Sequence, residues 1–254
     1  MSTAVVTGST SGIGAAFADR LAARGYDLVL VARNRERLDV QAAELADRYG
    51  TQVEVISADL GDRLELSRVE ERLLDADRPV SLLINNAGLG TARKFLDDDI
   101  ETEQYQIDVV VVAVLRLTHA AVRAMAGRGF GGVVNISSIG SYAAGGTYSA
   151  AKAWVRIFSE SIAHELHGTG VRVVAVCPGF VHTNFHAAGG MDVSSIPDWM
   201  WLSPDQVVDD AFAALRLGRD VSVPTARYRI IRAVAGHAPR RAVRALYLRG
   251  RPKR

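Results

Sequence analysis

The chain has 254 residues, 48% of them hydrophobic and 23% charged, and a formal net charge of +2. That is an ordinary globular balance with ample material for a core. Its single cysteine, Cys177, excludes an internal disulfide and a cysteine metal cluster; a reducing compartment, hence the cytoplasm, is expected.

In chain order, residues 4–6 form a short β-branched run that reads as a buried strand. A Gly/Ser/Thr turn follows at 9–14, then a helix over 15–23 stopped by Gly25. A second strand is expected at 28–31 and a helix at 36–49 with Gly50 as its stop. A third strand falls at 53–56, and a helix at 62–74 with Asp62 as a plausible cap. Then come a strand at 81–84, a long helix at about 100–126, and a strand at 133–136. A second long helix covers 147–167, a strand 171–176, a helix 205–217 and a last short strand 221–223. Alternating strands and helices, with strands apolar on both faces, predict a single α/β unit: a Rossmann-like, doubly wound parallel sheet covered on both faces. The first residues show no charged leader with an apolar stretch, so no signal peptide is expected, and apolar runs such as 109–115 fall short of a membrane span.

The turn between the first strand and helix carries Gly8, Ser11, Gly12, Ile13 and Gly14, with the glycines spaced Gly-x-x-x-Gly-x-Gly. Glycines there let backbone approach a pyrophosphate, and the helix start offers N–H donors and the positive end of its dipole. At the end of the second strand an acid would hold the ribose of NAD, whereas arginine suits the 2′-phosphate of NADP. The strand ends Val31-Ala32-Arg33-Asn34-Arg35, without an acid. Arg33 offers a forked contact to phosphate, with Arg35 or Arg37 adding charge, so NADP(H) is expected over NAD(H). Further on, Tyr148 and Lys152 stand four apart at the start of a helix and share one face. A lysine ammonium beside a phenol is expected to lower the tyrosine pKa toward neutrality and fit it for proton exchange with an alcohol or carbonyl oxygen.

Taken in order, Thr7-Gly-x-x-x-Gly-x-Gly14, Asp59-Leu60, Asn85-Asn86-Ala87-Gly88, Ser138, Tyr148-x-x-x-Lys152 and Pro178-Gly179 with Thr183 resemble the short-chain dehydrogenase/reductase superfamily. The resemblance implies that Asp59 binds the adenine with Leu60 beside it, and that Asn86, Ala87 and Gly88 line the adenosine ribose and stabilise the central strand. It implies that Pro178, Gly179 and Val181 flank the nicotinamide and Thr183 reaches its carboxamide or a phosphate. Tyr148 is then the general acid in reduction, Lys152 lowers its pKa and binds the nicotinamide ribose, and Ser138 holds the substrate oxygen. Two departures stand out. The family's asparagine on the helix after the fourth strand, which holds a water linking the lysine to solvent, falls at Val110; Gln106, one turn earlier, or a backbone carbonyl is the expected substitute. Ser138 precedes Tyr148 by ten positions where thirteen is more usual, so the loop between them is short; Ser141 is nearer but off the strand end.

Residues 180–203 fall where the family keeps a substrate lid, and they include His182, Phe185, His186, Met191, Trp199, Met200 and Trp201. That content suits a hydrophobic substrate or plain packing. His182 and His186 lack an evident third ligand, so no metal is expected. From residue 227 onward there are ten Lys/Arg and no Asp/Glu, against 20 basic and 28 acidic residues before it. Residues 1–225 are therefore read as the dinucleotide-binding and catalytic domain, and 226–254 as a basic extension. Its apolar residues Ile230, Ile231, Val234, Val243, Leu246 and Leu248 alternate with arginines as in one or two amphipathic helices. Peripheral contact with an anionic membrane, contact with the acidic body or a second subunit, and a solvated extension all fit that pattern; nucleic acid binding is not expected. The expectation is an oxidoreductase acting on a small-molecule carbonyl or secondary alcohol, forming a homodimer or homotetramer through its two long helices. The competing class is a cofactor-binding sensor or scaffold.

Overall fold

A computed structural model describes residues 2–91 and 93–237. Seven parallel strands form one sheet in the order β3-β2-β1-β4-β5-β6-β7. They are β1 (Thr3–Thr7), β2 (Asp27–Ala32), β3 (Val53–Ser57), β4 (Val80–Asn85), β5 (Gly131–Ile136), β6 (Val171–Val176) and β7 (Val221–Ser222). The helices are α1 (Gly12–Ala22), α2 (Arg35–Tyr49), α3 (Arg63–Leu74), α4 (Ile100–Ile107), α5 (Ala113–Ala126), α6 (Gly146–Glu165), α7 (Phe185–Ala188), α8 (Pro204–Leu217) and α9 (Ala226–His237). Helices α4 and α5 run into each other through a π-helical turn, Asp108–Val112.

Burial follows the alternation of side chains along each strand. Ala4, Val6, Leu28, Leu30, Leu82 and Ile84 meet Phe17, Leu21 and Val208 on one face. Val5, Val29, Val31, Leu83 and Val133 meet Leu66, Leu73, Leu117 and Met125 on the other. The segment Ile100–Ala126 is long and apolar enough to span a membrane by composition, which the short apolar runs did not suggest. Its apolar face is spent inside the protein: Leu117, Ala120, Ala121 and Met125 are buried in that second core. The caps follow local chemistry. Asp62 accepts from Leu64 N and Glu65 N at the start of α3, and Ser203 forms a capping box with Gln206 ahead of α8.

Strand order reverses direction between β1 and β4, which leaves a crevice at the carboxyl ends of the strands. Polar side chains knit this edge. Thr7 Oγ1 donates to Ile84 O and accepts from Asn86 N and Ala87 N, both at 3.0 Å. Deeper in, Asn85 Nδ2 donates to Thr118 Oγ1 (3.1 Å) and Asn135 Oδ1 (2.9 Å), and Asn135 Nδ2 donates to Ser159 Oγ (2.9 Å). This buried network ties β4 and β5 to α5 and α6.

Candidate active site

The glycine turn sits at the crevice. Gly8 and Gly12 have φ of +64° and +55°, values that only glycine adopts readily. A Cβ at Gly14 would collide with Gly8 O and Asn86 Nδ2. Asn86 Nδ2 donates to Thr7 O (3.0 Å) and Gly8 O (3.1 Å), so its side chain holds the turn in shape. Ser11 precedes α1 without a side-chain cap, which leaves the N–H groups of the first helical turn facing the crevice. Thr183 lies over the turn, its Cγ2 2.7 Å from where a Gly12 Cβ would be. A close-approach backbone and an uncapped helix start fit a dinucleotide pyrophosphate.

Arg33 is exposed at the end of β2, and its guanidinium donates to Tyr105 Oη at 3.3 Å. Tyr105 in turn donates to the Asp59 carboxylate at 2.8 and 2.9 Å, and Gly61 N donates to Asp59 Oδ1 at 2.9 Å. Arg33, Tyr105 and Asp59 thus form one chain across the β2–β3 side of the crevice. Tyr105 was missed by sequence reasoning, since it is distant in sequence from both partners and belongs to no motif. Leu60 is buried in the core beneath Asp59. The nearby arginines are engaged elsewhere: Arg35 pairs with Asp39, and Arg37 donates to Thr10 O.

Ser138, Tyr148 and Lys152 converge at the ends of β5 and α6. A single 3₁₀ turn, Ile139–Tyr142, and a left-handed Gly146 (φ +78°) take up the short loop. Ser138 Oγ caps that turn by accepting from Gly140 N at 3.0 Å and reaches the Tyr148 phenol. Ser141, the alternative, is buried against Cys177 Sγ at 4.0 Å and faces inward. Lys152 is 4% exposed and donates to Ile136 O at 2.7 Å, with its Nζ 5.9 Å from the Tyr148 ring centre. A Cβ at Gly88 would stand 3.5 Å from Lys152 Nζ and 4.0 Å from Val110 Cγ2, so Gly88 borders both residues.

The expected downshift of Tyr148 by Lys152 is not what the structure contains. Burial pushes the Tyr148 phenol up to about 12, although its ring keeps a partly open edge, and only the Ser138 hydrogen bond pulls it back. The same loss of solvent pushes Lys152 down to about 8. Desolvation disfavours charge on both groups and outweighs their attraction at this separation. Tyr148 therefore holds its proton throughout the neutral range.

On the β6 side of the crevice, Pro178 O accepts from Ile139 N at 2.8 Å, tying the turn after β6 to the Ser138 loop. Gly179 leaves room for the Tyr228 ring, and Val181 is buried and bridged to Leu202. Above Tyr148 lies Phe185, with ring centres 5.7 Å apart, and Gly90 faces Met191, Phe185 and Tyr148. Phe180, His182, His186 and Trp201 form a continuous ring cluster behind it. Burial lowers the His186 pKa and so favours the neutral ring. Gln106 is 1% exposed, and neither atom of its amide has a hydrogen-bond partner among the described residues. The apolar residues 243, 246 and 248 of the basic extension lie outside the described residues.

A proton-holding tyrosine beside a dinucleotide cradle is the working combination of an oxidoreductase that acts on carbonyl and alcohol groups. The family profile described as short chain dehydrogenase matches residues 2–192, and the chain belongs to the short-chain dehydrogenase/reductase family. It is 36% identical over 186 residues to sulfoacetaldehyde reductase 2 of Chromohalobacter salexigens, covering 71% of this chain and 73% of that protein. It is 32% identical over 225 residues to the 7beta-hydroxysteroid dehydrogenase of Collinsella aerofaciens, covering 86% and 84%. Among solved structures, a short-chain dehydrogenase from Sphingobium yanoikuyae in complex with NADPH superposes with a TM-score of 0.84 at 33% identity, covering 100% of this chain and 97% of that one.

Proposed function

We propose that this enzyme is an NADP(H)-preferring reductase of a hydrophobic carbonyl compound, running in reverse on the secondary alcohol. The convergence of Ser138, Tyr148 and Lys152 beside the glycine cradle carries the reading. When bound, the cofactor supplies hydride chemistry at its nicotinamide. Gly8, Ser11, Gly12, Ile13 and Gly14 hold its pyrophosphate; Asp59, Leu60, Asn86, Ala87 and Gly88 hold the adenosine half; Pro178, Gly179, Val181 and Thr183 flank the nicotinamide half. Ser138 accepts from Gly140 N, and its O–H, which meets the Tyr148 phenol in the free enzyme, turns to the substrate oxygen when substrate is bound. Tyr148 gives its proton to that oxygen as charge develops there. Lys152 supplies the nearby positive charge and the ribose contact. With Val110 apolar, the buried amide of Gln106, unpartnered among the described residues, or a backbone carbonyl is proposed to take over the relay from Lys152.

Preference for NADP(H) rests on Arg33, the absence of an acid at the end of β2, and the NADPH complex of the Sphingobium relative. Arg33→Ala is expected to lower the NADPH-to-NADH ratio of kcat/KM by tenfold or more, the scale of one charge-assisted phosphate contact. An unchanged ratio would remove the cofactor assignment. An apolar substrate is supported by Phe185 and Met191 over Tyr148 and by the steroid named for the Collinsella relative. Pairing of subunits is assigned to the outer faces of α5 and α6, where Leu115 and Ile157 are 42% and 53% exposed. The second reading, a cofactor-binding sensor or scaffold, draws on Val110; NADPH binding without turnover across ketones, aldehydes and quinones would favour it.

A further inference from the structure

The helix α9 begins at a strained turn. Thr225 has φ of +68°, the only non-glycine residue with positive φ among those described. A β-branched residue there is a true outlier, and such strain persists only where the surroundings impose it. What it achieves is to direct the first turn of α9 across both ends of the lid. Tyr228 is 1% exposed. Its hydroxyl accepts from Phe180 N at 3.0 Å and donates to Met200 O at 2.7 Å. Phe180 opens the lid and Met200 lies near its far end. Its ring fills the notch at Gly179, where any Cβ would collide with it. Next to it, Arg227 Nη2 donates to Trp201 O at 2.8 Å. The lid base is also closed by backbone, through Leu202 N to Phe180 O (2.8 Å) and His182 N to Leu202 O (3.0 Å), and by the rings of Phe180 and His182 against Trp201.

We propose that Tyr228 is a positioning residue: its hydroxyl latches the two ends of the substrate lid together while its ring presses the Gly179 turn into place against the cofactor. This rests on the proposed function for the roles of Gly179 and the lid. The latch itself is geometric. One hydroxyl satisfies a donor and an acceptor from segments twenty residues apart, so removing it leaves two half-buried groups without this partner and the lid held by fewer bonds. The start of the C-terminal segment is thereby part of the active-site wall.

Tyr228→Phe keeps the ring and deletes the latch. Hydrogen exchange followed by mass spectrometry on the full chain should show amides of 180–202 exchanging about five- to tenfold faster, the scale of one lost hydrogen bond. Exchange in β1 to β5 should stay unchanged, and titrated NADPH should bind more weakly by several-fold. Arg227→Ala, which cuts only the Trp201 contact, should move the same peptides by a smaller factor. It decides the question if Tyr228→Phe does not fold. Unchanged exchange over 180–202, or an increase spread evenly over the whole chain, would overturn the latch. Failure of the wild-type chain to bind NADPH would refute the cofactor reading and leave the exchange test standing.

Discussion

Lys152 is held almost without solvent, with one donor given to Ile136 O and its charge opposed by burial. Its ordinary pKa of 10.5 falls to about 8 in the folded chain. Between those values the unfolded chain binds more protons, so the contribution of Lys152 to stability rises with pH in that window. Measured by denaturant titration, the stability of wild type minus that of Lys152→Met is expected to rise by roughly 1–3 kcal/mol from pH 8 to 10.5. A flat difference would mean that the lysine keeps its charge at no cost. At this scale the sequence was informative about which residues meet. The spacing of Tyr148 and Lys152 put them on one helix face, and Ser138 reached Tyr148 despite the short loop. The direction of the tyrosine shift was not legible, because it depends on how much water the fold removes from both groups. Tyr105 was equally hidden: only the approach of α4 to the loops after β2 and β3 brings it to Arg33 and Asp59.

The helical segment Ile100–Ala126 is a continuous apolar pattern in sequence, yet it widens into a π turn at Asp108–Val112. Four successive valines, 109–112, carry no residue that announces such a turn, and π turns recur at functional sites. Val110 stands there beside Gly88, which also borders Lys152. The opposite case is α9, whose amphipathic pattern was legible while its docking onto the lid was not, since the turn at Thr225 sets its direction. Thr225 Oγ1 is buried without a hydrogen-bond partner among the described residues, and its backbone is strained. Thr225→Gly relieves both and is expected to stabilise the protein by about 1 kcal/mol, raising Tm by about 2–4 °C in thermal unfolding. A fall in Tm would show that the threonine side chain contributes packing that outweighs the strain.

Across the whole molecule, alternating strands and helices were enough to predict a parallel sheet, because strands apolar on both faces need helices on both sides. The strand boundaries moved by one or two residues as pairing extended them, as in β5, which begins at Gly131. The buried network of Asn85, Thr118, Asn135 and Ser159 was not foreseen, since polar residues in strands give no sequence sign of which neighbour satisfies them. Sheet order then gathers the glycine turn, Asp59, Asn86, Ser138 and Pro178 at one edge from segments far apart in the chain. Proton transfer by Tyr148 at that edge is the central claim, and NADPH oxidation against a panel of ketones, aldehydes and quinones tests it most directly. The proposed mechanism predicts turnover of an apolar carbonyl by the wild-type enzyme and a loss of at least a hundredfold in kcat for Tyr148→Phe, the scale of a positioned general acid, with NADPH binding retained. Full turnover by Tyr148→Phe would contradict it.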